Sequence, residues 1–297
     1  LLVGDRAATV TRIAIALDQT VPMVDAAAAA GCNLLVTHHP GFFFPAPDSF
    51  LATPSAATSS GAVVYRAAQR GVALLALHTN LDCALSAANM LLEPVGLEYV
   101  APLRPHGTGS LGQIARPVRS AHSAHPAHRA YSAYSAQPAD DSARLTSDSN
   151  HPARPADDRP ASDPNHPADE HPHLELHQLA SACLWAFGRV AKVWGDPAKL
   201  LFTVAVCSGG AGEVVPDVIA QRVDCLITGE LRHHEALYLA DEGIALIELG
   251  HDTSELPYRL ELRKALVAAG FPPSDIEILA PSATWWQPSI PAEDVRL

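Results

Sequence analysis

The sequence predicts an α/β chain made of two α/β domains with a low-complexity insertion between them. Three observations carry this. Short apolar runs alternate with segments of helical periodicity in both halves of the chain. Glycines recur where those helical segments stop. Between about residues 117 and 173 the composition turns abruptly to Ala, Ser, Pro, His and Asp.

In the first half, VTRIAIALD (Val10–Asp18) reads as a strand and VPMVDAAAAAG (Val21–Gly31) as a helix closed by glycine. NLLVT (Asn33–Thr37) is a strand, GAVVYRAAQRG (Gly61–Gly71) a helix and VALLALH (Val72–His78) a strand. This rhythm calls for a largely parallel sheet. The stretch from 117 to 173 lacks the large apolar side chains that would offset its ordering entropy, so it reads as a disordered insertion. It carries an imperfect repeat, SDSNHPA at Ser147–Ala153 and SDPNHPA at Ser162–Ala168, and its many histidines read as drift in a solvated linker.

Order resumes with LHQLASACLWAFG (Leu176–Gly188) as a helix and LLFTVAVC (Leu200–Cys207) as a strand. VVPDVIAQR (Val214–Arg222) is a helix, DCLITG (Asp224–Gly229) a strand, HHEALYLADEG (His233–Gly243) a helix and IALIELG (Ile244–Gly250) a strand. SELPYRLELRKALVAAG (Ser254–Gly270) reads as one helix, and DIEILA (Asp275–Ala280) as the last strand. The expected domains are residues 1–116, the insertion 117–173, and 174–297, the C-terminal part of which could pack on the first domain.

Composition excludes several classes. The chain has 297 residues, 48% of them hydrophobic, and a net charge of −12. With a pI of about 5.6 it offers no clustered basic surface for nucleic acid or anionic membrane. No apolar run reaches the roughly 18 residues that a membrane span needs. No secretory leader is visible, and Cys32, Cys83, Cys183, Cys207 and Cys225 are odd in number, scattered and in apolar contexts. These features predict buried thiols and a cytoplasmic protein. The chain starts with Leu in mid-pattern, so an N-terminal segment is expected to be missing.

In open α/β sheets the working residues lie past the carboxyl ends of the strands. Here LLVT runs into His38 and His39, and ALLAL into His78 with Asp82 four residues later. LIT runs into Gly229 and Glu230, with His233 and His234 next, and LIEL into Gly250 and His251, with Glu255 four residues on. Any one of these histidines is, by itself, more often a surface or hydrogen-bonded residue. The convergence is what points to metal. His251 and Glu255 can face one point at i, i+4 spacing, and imidazoles with carboxylates suit Zn, Fe, Mn or Co. Three histidines with two carboxylates exceed one tetrahedral ion and match two ions sharing a bridging carboxylate. Adjacent residues of an extended chain face opposite sides, so His38 and His39 could serve one ion each. The loop CSGGAG (Cys207–Gly212) could cradle phosphate, or could be a tight turn that needs glycine; it lacks a Walker lysine and the G-x-G-x-x-G spacing.

VGD (Val3–Asp5), LLVTHHPGFF (Leu34–Phe43), HTNLDCA (His78–Ala84), VAVCSGGAG (Val204–Gly212), DCLITGELRHHEAL (Asp224–Leu237) and LGHDTSE (Leu249–Glu255) together resemble the NIF-three-like dinuclear metal-centre proteins, the GTP cyclohydrolase I type 2 homologues. The resemblance implies two related α/β domains with a two-metal site in the cleft between them, and a homohexameric ring. It places the metal ligands on His38, His39, Asp82, His251 and Glu255, for two divalent ions. His78 and His234 match recurrent family histidines and would handle protons, and Glu230 stands where the family has an acidic residue. The insertion is no part of the family pattern, and the family's opening helix is absent.

The resemblance implies a metal-dependent hydrolase that uses activated water on a small-molecule or nucleotide substrate, with ring opening of GTP as the reaction its name suggests. The alternative is a non-catalytic metal-binding protein, a metal chaperone or scaffold. A third reading makes the chain an interaction hub with the insertion as its recognition arm.

Overall fold

The computed structural model describes residues 1–41, 60–118 and 172–281. Residues 119–171, nearly all of the predicted insertion, lie outside them, as do Phe42 and Phe43 of the LLVTHHPGFF stretch. The chain forms two compact units of mixed α/β structure. One takes residues 1–90, 106–110 and 255 onward, the other residues 91–105 and 111–254. Among the described residues no helix is long and apolar enough to cross a membrane.

The first unit is built on a four-stranded sheet of β1 (Ile13–Ala16), β2 (Leu34–Thr37), β3 (Ala73–Ala76) and β12 (Ile276–Ile278), in the order β12-β1-β2-β3. All three pairings are parallel. Every residue of β1 and β2 is buried, which is why they read as unbroken apolar runs: both faces are covered. Alternation then sorts the side chains. Ala14, Ala16, Leu35 and Leu74 enter one core with Val24 and Ala27 of helix α1 (Val21–Ala29) and Val63 and Ala67 of α2 (Ser60–Arg70). Ile13, Ile15, Leu34 and Val36 enter the other. Thr20 starts α1 by accepting a hydrogen bond from the Met23 amide at 3.4 Å, and Gly31 ends the turn at φ 73°.

Because these strands are parallel, their carboxyl ends share one edge. Between β3 and the hairpin described next lie the short helix α3 (Thr79–Asp82) and α4 (Leu85–Leu92). The strands β4 (Leu97–His106) and β5 (Gly109–Pro117) form a hairpin that the periodicity did not reveal. Pro102 and Pro105 interrupt the strand signal of β4, and an edge strand tolerates them because its outer N–H groups need no partner. The tip residues 106–110 belong to the first unit. There the Ser110 amide donates to the Cys83 carbonyl at 3.1 Å. Gly109 is required at this point, since a Cβ would run into that same carbonyl oxygen.

The second unit holds a six-stranded sheet in the order β4-β5-β9-β10-β11-β7. Here β7 is Lys192–Trp194, β9 Val204–Gly210, β10 Cys225–Glu230 and β11 Ala245–Glu248; β6 (Leu174–Glu175) and β8 (Leu200–Leu201) form a separate small sheet. The three central strands are parallel, and β5 and β7 join them antiparallel. Val204, Val206, Cys225, Ile227 and Ile247 pack with helix α5 (Leu176–Phe187). Ala205, Leu226 and Leu246 pack on the opposite side with α6 (Val215–Ala220) and α7 (His233–Asp241).

The helix expected over 254–270 is two helices, α8 (His251–Glu255) and α9 (Tyr258–Ala268). Pro257 lacks the N–H that would continue the ladder to the Thr253 carbonyl, so the first helix stops one turn after it begins. The strand expected at Leu200–Cys207 is likewise split, and its second part runs on to Gly210. All five cysteines carry free thiols, and all but Cys207 are buried, as their apolar contexts predicted.

Candidate metal centre

The first unit brings His38, His39, His78, Asp82 and Glu255 together. His38 and His39 follow directly on β2, and backbone hydrogen bonding to the end of the neighbouring strand segment reaches as far as His39. The His39 amide donates to the Leu17 carbonyl at 2.9 Å, and the Thr37 hydroxyl donates to the His39 carbonyl at 2.7 Å. Both histidines therefore stand on fixed backbone.

The His38 side chain is 1% exposed. Its Nδ1 lies 3.0 Å from the Leu77 carbonyl, an acceptor, so Nδ1 carries the proton. That leaves Nε2 facing inward, where it has no hydrogen-bond partner among the described residues. It lies 3.4 Å from Asp82 Oδ1 and 3.5 Å from Glu255 Oε1. A buried ring nitrogen that faces two carboxylates without a hydrogen bond is unfavourable unless a positive charge stands among them. A cation supplies it, so the donor set fits a metal ion. One imidazole and two carboxylates suit Zn, Mn, Fe or Co.

His39 is held from both sides. Its Nδ1 lies 2.8 Å from Asp18 Oδ1, and its Nε2 lies 3.0 Å from Glu255 Oε2. Burial works against charge on this ring, but the hydrogen bonds to Asp18 and Glu255 and their charges outweigh it and push His39 up to about 10. Burial raises the Asp82 carboxyl above its ordinary range; His38 pulls it down, Glu255 pushes it up, and a hydrogen bond from Tyr258 pulls it down. The His78 ring stacks on His38 with centroids 4.8 Å apart and planes 15° apart. The nitrogens of His38, His39 and His78 lie within 4.8 Å of one another, as do the ligand atoms of His38, Asp82 and Glu255.

In the second unit, His251 opens α8, one turn before Glu255. Its Nδ1 lies 3.1 Å from Glu230 Oε1, the arrangement that orients a ligating histidine. Ser254 anchors this turn by donating to the His251 carbonyl at 2.8 Å and accepting from the Gly209 amide at 2.9 Å. The CSGGAG segment accordingly serves packing. Its Gly209 amide is engaged by Ser254, and a Cβ on Gly212 would crowd the Glu235 carboxylate. His234 is exposed on the first turn of α7.

The profile of the Duf34/NIF3 (NGG1p interacting factor 3) family matches residues 1–280. The chain belongs to that family. It is 29% identical over 265 residues to a GTP cyclohydrolase 1 type 2 homolog of Streptomyces coelicolor, covering 86% of this chain and 73% of that protein. A Clostridium acetobutylicum protein of the same name is 23% identical over 275 residues, covering 91% and 81%. Among solved structures, a Staphylococcus aureus protein shares the fold with a TM-score of 0.68 at 18% identity, over 97% of this chain and 91% of that one. A Bacillus cereus protein related to NIF3 gives a TM-score of 0.63 at 21% identity, over the same shares.

Two residues at this NIF3 cluster escaped the sequence reading. Asp18 ends the first strand segment, so the rule of strand ends that selected His38 also reaches it. Tyr258 stands three residues after Glu255, on the same side of a helical path, but an aromatic residue at that spacing reads as core.

Proposed function

We propose that this NIF3-family chain is a dinuclear metal-binding protein and a metal-dependent hydrolase. One observation carries the two-ion reading. The two oxygens of Glu255 face different histidines, Oε1 toward His38 at 3.5 Å and Oε2 toward His39 at 3.0 Å. A carboxylate divided in this way can bridge two ions. His38 and Asp82 would hold one of them and His39 the other, with His251 as the further ligand placed one turn before Glu255.

Two such ions supply an acidified water and a polarised substrate. The protein's own residues do the rest. Leu77 and Asp18 fix the two imidazoles through Nδ1, and Glu230 does the same for His251. His78, half-buried on the His38 ring, would move protons to and from substrate, with His234 in the same role. The names of the curated relatives point to a purine nucleotide as substrate and to GTP ring opening as the reaction. The homohexamer belongs to the same reading, and light scattering on the purified protein tests it.

Protein purified without chelators should carry two ions per chain by elemental analysis, and fewer in His38→Ala and Glu255→Ala. Full metal content in both variants would sink the site. The metal-loaded protein should open the GTP imidazole ring or cleave a member of a phosphoester panel, and should lose that activity in His78→Ala. Inertness toward all of them would leave a metal carrier instead of a hydrolase.

A further inference from the structure

Tyr258 is 2% exposed and sits in the core that also holds Ile13, Ile15, Val36, Leu81 and Leu262. Phenylalanine would fill that space. A phenol there needs a partner for its hydroxyl, because a buried O–H without one is costly. The Tyr258 hydroxyl donates to the Asp82 carboxylate. Its ring also meets the His38 imidazole edge-on, with centroids 5.0 Å apart and planes 64° apart.

Asp82 needs such support. It ends a helix of four residues, Thr79–Asp82, and its carboxylate shares the His38 Nε2 with Glu255. Two carboxylates on one imidazole repel each other until a cation arrives. A neutral donor on one of them holds its orientation before an ion binds, and it withdraws no ligand from the ion.

We propose that Tyr258 is a positioning residue: its hydroxyl on Asp82 and its ring edge on His38 preset both groups for the ion that His38, Asp82 and Glu255 share. Because Tyr258 follows Glu255 by three residues, one short segment sets both carboxylates. The inference rests on the metal-binding reading above.

The test compares full-length wild type, Tyr258→Phe and Leu262→Ala. Each is stripped with a chelator and titrated with Co2+ against a competing chelator, below the melting temperature of all three. Tyr258→Phe should weaken one of the two ions by about 10–100-fold, change the Co2+ absorption spectrum and leave the other ion in place. Leu262→Ala cuts the same core without touching the cluster, and should lower Tm while keeping wild-type Co2+ affinity and spectrum. If Tyr258→Phe binds both ions with wild-type affinity and spectrum, the positioning role is overturned and the metal reading stands. The role is also overturned if Tyr258→Phe and Leu262→Ala weaken binding alike in step with Tm. If wild type takes up no Co2+, the metal reading fails and this inference falls with it.

Discussion

His39 and Glu255 meet at 3.0 Å, Nε2 to Oε2, across the carboxyl edge of the first sheet. With Asp18 on the other nitrogen, the metal-free ring is held as an imidazolium, up to about 10. A metal ion must displace the Nε2 proton. Loading near pH 8 should therefore release protons, and affinity should rise about tenfold per pH unit until pH approaches 10. Calorimetric titrations in two buffers of different ionisation enthalpy measure the release directly; no buffer dependence would refute it.

The same pair bears on metal-free stability. The folded pKa of about 10 lies above the ordinary 6.5 of histidine. The stabilisation is complete below about pH 6.5, declines as pH rises, and is lost past 10. Chemical denaturation of the stripped protein across that range should show the decline, and Asp18→Asn should flatten it. Asp18→Asn should also weaken metal binding by about 10–100-fold, because the carboxylate that orients His39 is gone.

Glu255 and Asp82 predict different stoichiometries. Glu255 faces both histidines, while Asp82 faces His38. Glu255→Ala should lose both ions, and Asp82→Ala should retain one. Elemental analysis after dialysis decides this, and equal loss in the two variants would contradict a bridging role.

Gly109 predicts a remote effect. A Cβ there would strike the Cys83 carbonyl, and Cys83 follows Asp82 directly. Gly109→Ala should shift that turn, cost on the order of 1–3 kcal/mol in stability, and loosen the ion held by Asp82. Unchanged denaturation and unchanged metal content would show that the hairpin tip plays no part in placing Asp82.

The metal-type residues were legible because they break their surroundings. His38 and His39 end a buried apolar strand, and His251 and Glu255 are spaced by one turn. Asp18 and Tyr258 were not, since an aspartate closing a strand and a tyrosine on an apolar helix face are common without function. The hairpin Leu97–Pro117 was hidden by prolines that only an edge position permits.

Local pattern alone determined the α/β class, the strands β2, β10 and β11, and the convergence of histidines on strand ends, because side-chain periodicity and glycine stops are properties of short segments. Tertiary structure decided three further things. It paired β12 with β1, so that the last strand completes the first sheet. It brought the Tyr258 hydroxyl to Asp82, 176 positions earlier in the chain. It turned the two oxygens of Glu255 toward different histidines. Each depends on contacts between residues far apart in sequence, where no local period records the partner, and the direction of a carboxylate is set only by what packs around it.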